Sequence, residues 1–173
     1  MNNIGDEWMS EFLENAVYRL DESTRMNKIS LNAIKESNIW KRPNESSNSI
    51  GNQIIHICGN MTQYVIASLG EEDDLRNRDA EFSISDGFTR SELIEKLEDT
   101  VHQAKLVLNN CSKSRLLKKR IVQGYDLSGI GIVIHAVEHY SYHTGQISFW
   151  TKLLINKDLG FYEGRDLNIK NEN

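Results

Sequence analysis

The chain reads as an all-α protein, a four-helix bundle. Three observations predict it. Apolar residues recur at spacings of three and four over long stretches, a single proline interrupts 173 residues, and cap and stop signals bracket the periodic segments. That length suits one domain with a real core, and residues 1–173 are expected to form that one domain.

The first helix is expected from about residue 5 to about residue 37, with a bend near its middle. Trp8, Phe12, Ala16 and Leu20, then Met26, Ile29, Ala33 and Ile34, carry its helical period. Trp40 and Pro43 follow in the polar loop WKRPNESSNS. Asn48 or Ser49 can cap the second helix, and Gly70 after Leu69 stops it. Ile50, Ile54, Ile57, Met61 and Tyr64 form its apolar stripe, widened by Ile55, Ile66 and Leu69. Asn52, His56 and Asn60 form a narrow polar row between apolar flanks, which points to an internal polar site. The charged connection GEEDDLRNRDAEFSISDGF reads as a loop whose acids and arginines pair or cap helices.

The third helix opens at Thr89, where Thr-Arg-Ser-Glu makes a capping box with Glu92. Leu93, Ile94, Leu97, Val101, Ala104 and Leu108 bury one face, and the helix ends near Asn109. Leu116 to Gln123 look extended, but basic residues interrupt them and no true sheet is expected. Ser128 can cap the last helix, which continues through Ile147, Trp150, Leu153 and Leu154. Gly145 in its middle costs about 1 kcal/mol of helix propensity, which predicts a close backbone neighbour. Phe161 and Tyr162 in the tail are expected to fold back on the bundle.

Composition excludes several functions. Apolar residues at 39% and charged residues at 26% suit a soluble globular chain. A net charge of −5 and the absence of a dense Lys/Arg block argue against a nucleic-acid surface. No apolar run has the length of a membrane span, and MNNIGDEW lacks the apolar region of a signal peptide. Cys58 and Cys111 form no Cys-x-x-Cys pattern, so a reducing, cytoplasmic location is expected.

The chemistry lies in the histidines. The chain has five, and His135, His139 and His143 repeat every four residues in HAVEHYSYHTGQI. Side chains four apart share a helix face, so the row offers imidazoles to one place. At about 1.5 Å rise per residue, His135 and His143 lie about 12 Å apart, too far to share an ion with bonds of about 2 Å. One ion can take His135 with His139, or His139 with His143. A third ligand must come from another element, and His56 is the candidate; His102 lies in a charged helix and is expected to be exposed.

The segments SNSIGNQIIHICGNMTQYV, LRNRDAEF, HAVEHYSYHTGQI and KDLGFY resemble those of the DinB-like superfamily of bacterial metal-binding four-helix bundles, in particular its small uncharacterised branch. Trp40 with Pro43 matches that branch's Trp-x-x-Pro turn, and the resemblance runs in order over most of the chain. It implies a bundle of the DinB-like type with a metal site between helices 2 and 4. Its ligands there are one His on the second helix and the pair of an H-x3-H motif on the last, here His56, His139 and His143. The family's H-x-G-Q ending matches His143-Thr144-Gly145-Gln146. His135 is then left to line the pocket, hold a neighbouring group, bind substrate or simply pack. Asn60, Tyr142 and Gln146 are further candidates for the pocket or for orienting ligands.

Three neutral imidazoles leave coordination positions open, as in catalytic zinc sites. Zinc and nickel are the expected metals, with iron a third choice. The resemblance implies an enzyme that activates a low-molecular-weight thiol for transfer or isomerisation, and a homodimer. A non-catalytic, dimeric, metal-binding stress-response protein is the alternative. A metal-dependent hydrolase fits less well, because Glu138, the acid inside the motif, projects about 100° away from His139. DNA binding fits poorly with the acidic balance. Cys58 reads as a buried structural thiol pointing away from His56, and Arg76 and Arg78 as loop ion pairs or, if their loop covers the site, as contacts to an anionic substrate.

Overall fold

The computed structural model describes residues 4–172. Its long helices are α1 (Ile4–Ala33), α2 (Ile50–Met61), α4 (Arg90–Asn109) and α6 (Gly129–Ile155). α2 runs on into a π-helical stretch, Thr62–Leu69, that stops at Gly70. Between them lie two short helices, α3 (Arg78–Ser83) and α5 (Lys113–Leu117), and a hairpin of β1 (Lys119–Val122) and β2 (Tyr125–Ser128).

The sequence's cap signals act where they were expected. Ser49 caps α2 in a capping box with Asn52, Thr89 caps α4 with Glu92, and the Ser128 hydroxyl accepts from the Gly131 amide at the start of α6. Each satisfies backbone donors that a helix start leaves open. α1 packs on α4 and α6, and α2 packs on the same two helices. This makes α2 and α6 neighbours in a four-helix bundle. Leu20, Leu31, Ile50, Ile54, Leu93, Leu97, Ile132 and Ile147 fill the centre, each at most 1% exposed. Burying each such side chain stabilises the fold by about 1.5–3 kcal/mol.

Several expectations need correction. α1 ends at Ala33, since Lys35 turns to an extended backbone and starts a 3-10 turn, Glu36–Asn38. Its buried face is carried by Leu13, Ala16, Leu20 and Leu31 together with Asn27 and Ser30, and continued by Ile34 just past its end, whereas Trp8 and Ala33 face out. Ala16, Leu20 and Ile34 belong to the expected stripe; Asn27 and Ser30 fell outside it because they are polar. The connection after Gly70 contains α3, capped by the Asn77 side chain.

The stretch 116–123 is not sheet-free, for β1 and β2 pair antiparallel from Lys119 opposite Ser128 to Val122 opposite Tyr125. Gln123 and Gly124 both have positive φ, 50° and 86°, as a two-residue hairpin turn requires. Leu116 and Leu117, read as extended, belong to α5. Gly145 has no close neighbour, since a Cβ there would meet nothing within 4 Å. It lines a groove between α1 and α6 that Phe161 and Tyr162 of the tail also border.

Candidate metal centre

Neighbouring helices bring three histidines together. His56 projects from α2 and is 6% exposed; His139 and His143 project from adjacent turns of α6 and are half-buried. His56 Nε2 lies 3.0 Å from His139 Nε2. One ring nitrogen from each of the three lies within 4.8 Å of the others.

Hydrogen bonds on the far side of two rings set which nitrogen faces inward. His56 Nδ1 is 2.7 Å from Glu81 Oε2, and His143 Nδ1 is 2.8 Å from Gln146 Oε1. A carboxylate and an amide oxygen only accept, so both Nδ1 atoms carry a proton, which leaves Nε2 as the nitrogen each ring offers to a metal. Arg76 Nη2 also lies 3.2 Å from His56 Nδ1. The shorter, charge-assisted bond to Glu81 decides the tautomer.

Glu81 arrives on α3 and is held by Arg76, whose Nε donates to Oε1 at 2.7 Å and whose Nη2 donates to Oε2 at 2.9 Å. Arg76 Nη1 donates to Gln63 Oε1 at 2.8 Å, and the Arg76 side chain is only 3% exposed. Burial works to raise the Glu81 carboxyl, but hydrogen bonds from Arg76 and His56 outweigh it and hold the group below the usual carboxylate range. Gly59, three residues after His56, makes this possible. A Cβ there would sit 2.0 Å from Glu81 Oε1.

Burial, with the neighbouring imidazoles adding to it, pushes His139 down to about 3. Burial and His56 push His143 down to about 4, against the raising effect of Gln146. Both rings are therefore neutral at pH 7 and offer lone pairs. A tetrahedral ion with bonds of about 2.0–2.1 Å spaces its nitrogen ligands about 3.3 Å apart. The 3.0 Å approach of His56 and His139 is close to that spacing, so the donor set fits one divalent metal. Carboxylate–imidazole support of the Glu81–His56 kind is what metal-ligating histidines commonly have.

A family model described as a protein of unknown function, DUF1572, matches residues 7–162. The chain belongs to this family. No curated protein matches the chain in sequence. Solved structures do match its fold. A DinB-like protein from Bacillus subtilis is similar at 16% identity and a TM-score of 0.67, over 88% of this chain and 99% of that one. A conserved protein from Enterococcus faecalis is 16% identical, with a TM-score of 0.64 over 87% and 97%. A mutant of the mycothiol-dependent maleylpyruvate isomerase is 14% identical, with a TM-score of 0.55 over 82% of this chain and 60% of its own. This DUF1572 chain thus has the DinB-like fold that its motifs resemble.

The other candidates divide. His135 stands outside the cluster, with its ring stacked on Tyr64 at 4.0 Å and Asn60 Nδ2 3.3 Å from its Nε2. Gln146 holds His143, while Tyr142 meets the His143 ring edge-on and is 63% exposed. Arg76 forms an ion pair, as the loop reading expected, but a buried one at the centre. Arg78 lies over the Phe82 ring, and Phe82 in turn packs on His56 with ring centroids 4.7 Å apart. Cys58 is buried, and burial raises its thiol to about 11. Sequence reading missed Glu81 and Phe82. The available signal was Gly59, a glycine inside a helix at the position that needs space beside His56.

No described helix is long and apolar enough to cross a membrane.

Proposed function

We propose that this protein is a metal-dependent enzyme in which His56, His139 and His143 hold one divalent transition metal, zinc or nickel before iron, and that it activates a low-molecular-weight thiol for transfer or isomerisation. The observation that carries the reading is the convergence of three imidazoles, two with their Nδ1 protons already committed to Glu81 and Gln146. Bound there, the metal would supply a Lewis acid able to lower the pKa of a thiol. The fold shared with a mycothiol-dependent isomerase supports the thiol class.

The chain's own groups have definite tasks in this reading. Glu81 fixes the His56 ring and tautomer, and Gln146 does the same for His143. Phe82 covers one side of His56 and excludes water. Asn60 and Tyr64 position His135 beside the cluster, and Tyr142 borders His143 on the solvent side. Hydrolysis is less well supported. Glu81 spends both oxygens on Arg76 and His56, and Glu138 lines the groove toward α1, so neither is placed as a general base. A homodimer belongs to the same proposal, and a monomeric mass in solution would refute that part.

Metal analysis of untagged protein tests the centre. The expected result is about one equivalent, lost in His139→Ala; metal-free protein of unchanged fold would overturn it. Cobalt substitution then tests the chemistry. A cobalt spectrum that shifts on adding a low-molecular-weight thiol supports the enzyme. An unresponsive spectrum, with a melting temperature that drops on chelation, favours the non-catalytic protein.

A further inference from the structure

The outward side of α6 is unlike that of α4. α4 turns Glu92, Glu95, Glu98 and Asp99 to solvent, whereas α6 turns out Ile134, Tyr142, Phe149 and Leu153, each 52–67% exposed. Ser141 and Gly145 lie exposed among them, and a Cβ at Gly145 would meet nothing within 4 Å. At 1.5 Å rise per residue the strip is about 28 Å long. Large apolar side chains exposed in one run mark a surface that another molecule covers. The strip carries two charges, Glu138 and Lys152, which stand seven residues before and seven residues after Gly145. Seven residues fall about 20° short of two full turns, so both charges share the face of Gly145. Glu138 has no ion pair among the described residues, and Lys152 holds the exposed Asp158 at 3.2 Å.

We propose that two copies of the chain meet on this face of α6, with the two helices antiparallel about a two-fold axis beside Gly145. In such a contact a residue a given number of places after Gly145 faces the residue the same number before it in the second copy. Glu138 then meets Lys152 of the second copy, and Lys152 meets the second copy's Glu138. The strip's two charges are thus opposite in sign and placed so that the face complements itself. Phe149 lies on the same flank as Tyr142, seven residues on, and meets the Tyr142 ring across the axis. One Glu against one Lys gives no excess charge to match an anionic membrane. The small Ser141 and Gly145 let the helix axes approach to about 8 Å. Tyr142 stands edge-on to His143 with ring centroids 5.1 Å apart, so Phe149 of the second copy covers the solvent side of the proposed metal centre. The inference rests on the homodimer reading above and gives that dimer its surface; it does not depend on a bound metal.

Sedimentation equilibrium of untagged, full-length protein tests the face, at concentrations up to about 100 μM and both metal-loaded and chelator-treated. The expected result is a mass of two chains in both forms, with a dissociation constant of about micromolar size, because a strip one helix wide is at the low end of specific interfaces. Phe149→Ala alters an exposed side chain, so circular dichroism should show the fold intact, and dimerisation should weaken about thirtyfold or more. Glu138→Lys and Lys152→Glu, each alone, set like charges opposite one another twice per dimer and should weaken it about tenfold. Combined in one chain they restore opposite charges, and affinity should return to within about threefold of wild type. A monomeric mass at every concentration would overturn this inference and the homodimer reading together. A dimer that Phe149→Ala leaves unchanged, or a double reversal no tighter than either single one, would overturn this face and leave the homodimer standing.

Discussion

Two faces of α6 bury polar groups, and they bury them differently. Toward α1, donors meet acceptors, although Asn27 Oδ1 itself is left without a partner. Asn27 Nδ2 donates to Thr144 Oγ1 at 2.8 Å, and Tyr140 shares a 2.9 Å bond with Thr24, whose hydroxyl donates onward to the Leu20 carbonyl. Toward α2, ring nitrogens of one kind converge, His56 Nε2 facing His139 Nε2 at 3.0 Å with His143 alongside. Complementary pairs close upon themselves and make structure. Convergent lone pairs stay open to a cation, and their protonation is what burial suppresses. Polar burial alone is thus no mark of a site; the mark is a surplus of one kind of group.

Experiments that break each face should separate these roles. The largest effect is expected from Glu81→Ala, which strands the Arg76 charge in the interior. Removing one partner of such a pair costs about 3 kcal/mol or more, measured by denaturant unfolding, and metal affinity should fall about 10–100-fold. A near-neutral result would mean that Glu81 does not hold His56.

Acid comes next. His139 and His143 have folded pKa values of about 3 and 4, against about 6.5 in the unfolded chain. The unfolded chain therefore binds protons first as pH falls. In metal-free protein the stability tied to neutral rings is complete above about pH 6.5 and declines through about pH 4 and 3. The depressed Glu81 carboxyl adds loss in the same direction, at the acid end of that window. Melting temperature against pH should show this slope, and His143→Gln should flatten it; a flat wild-type profile would contradict it.

On the opposite face, Thr144→Val removes the acceptor of the buried Asn27 amide. It should cost roughly 1–2 kcal/mol and leave metal content unchanged, so metal loss would show that the two faces are coupled. The smallest effect belongs to Gly145→Ala. With nothing near the new methyl group, the variant should gain about 0.4–1 kcal/mol from a stiffer unfolded chain.

Much of this was legible in sequence because it is local. Ser49, Thr89 and Ser128 cap their helices through bonds spanning three residues. The row Asn52, His56 and Asn60 is internal, each at most 6% exposed, as its apolar flanks on α2 implied. The hairpin was hidden because Gln123 adopts a backbone that favours glycine, and its side chain is tied by the Tyr64 hydroxyl at 2.9 Å. The buried stripe of α1 was caught at Ala16, Leu20 and Ile34 but missed Asn27 and Ser30, which occupy central positions that a hydrophobic pattern skips.

By itself the sequence determined four amphipathic helices, their starts, and a histidine period that places two imidazoles on adjacent turns. These follow from helix geometry and from hydrogen bonds reaching no farther than one turn. Only the tertiary structure set α2 beside α6, so that His56 met His139. It alone docked α3 over Gly59, giving His56 its carboxylate, and turned His135 onto Tyr64. Those contacts join residues dozens of positions apart, and they depend on which helices pack together, a choice made by the whole core rather than by any one segment.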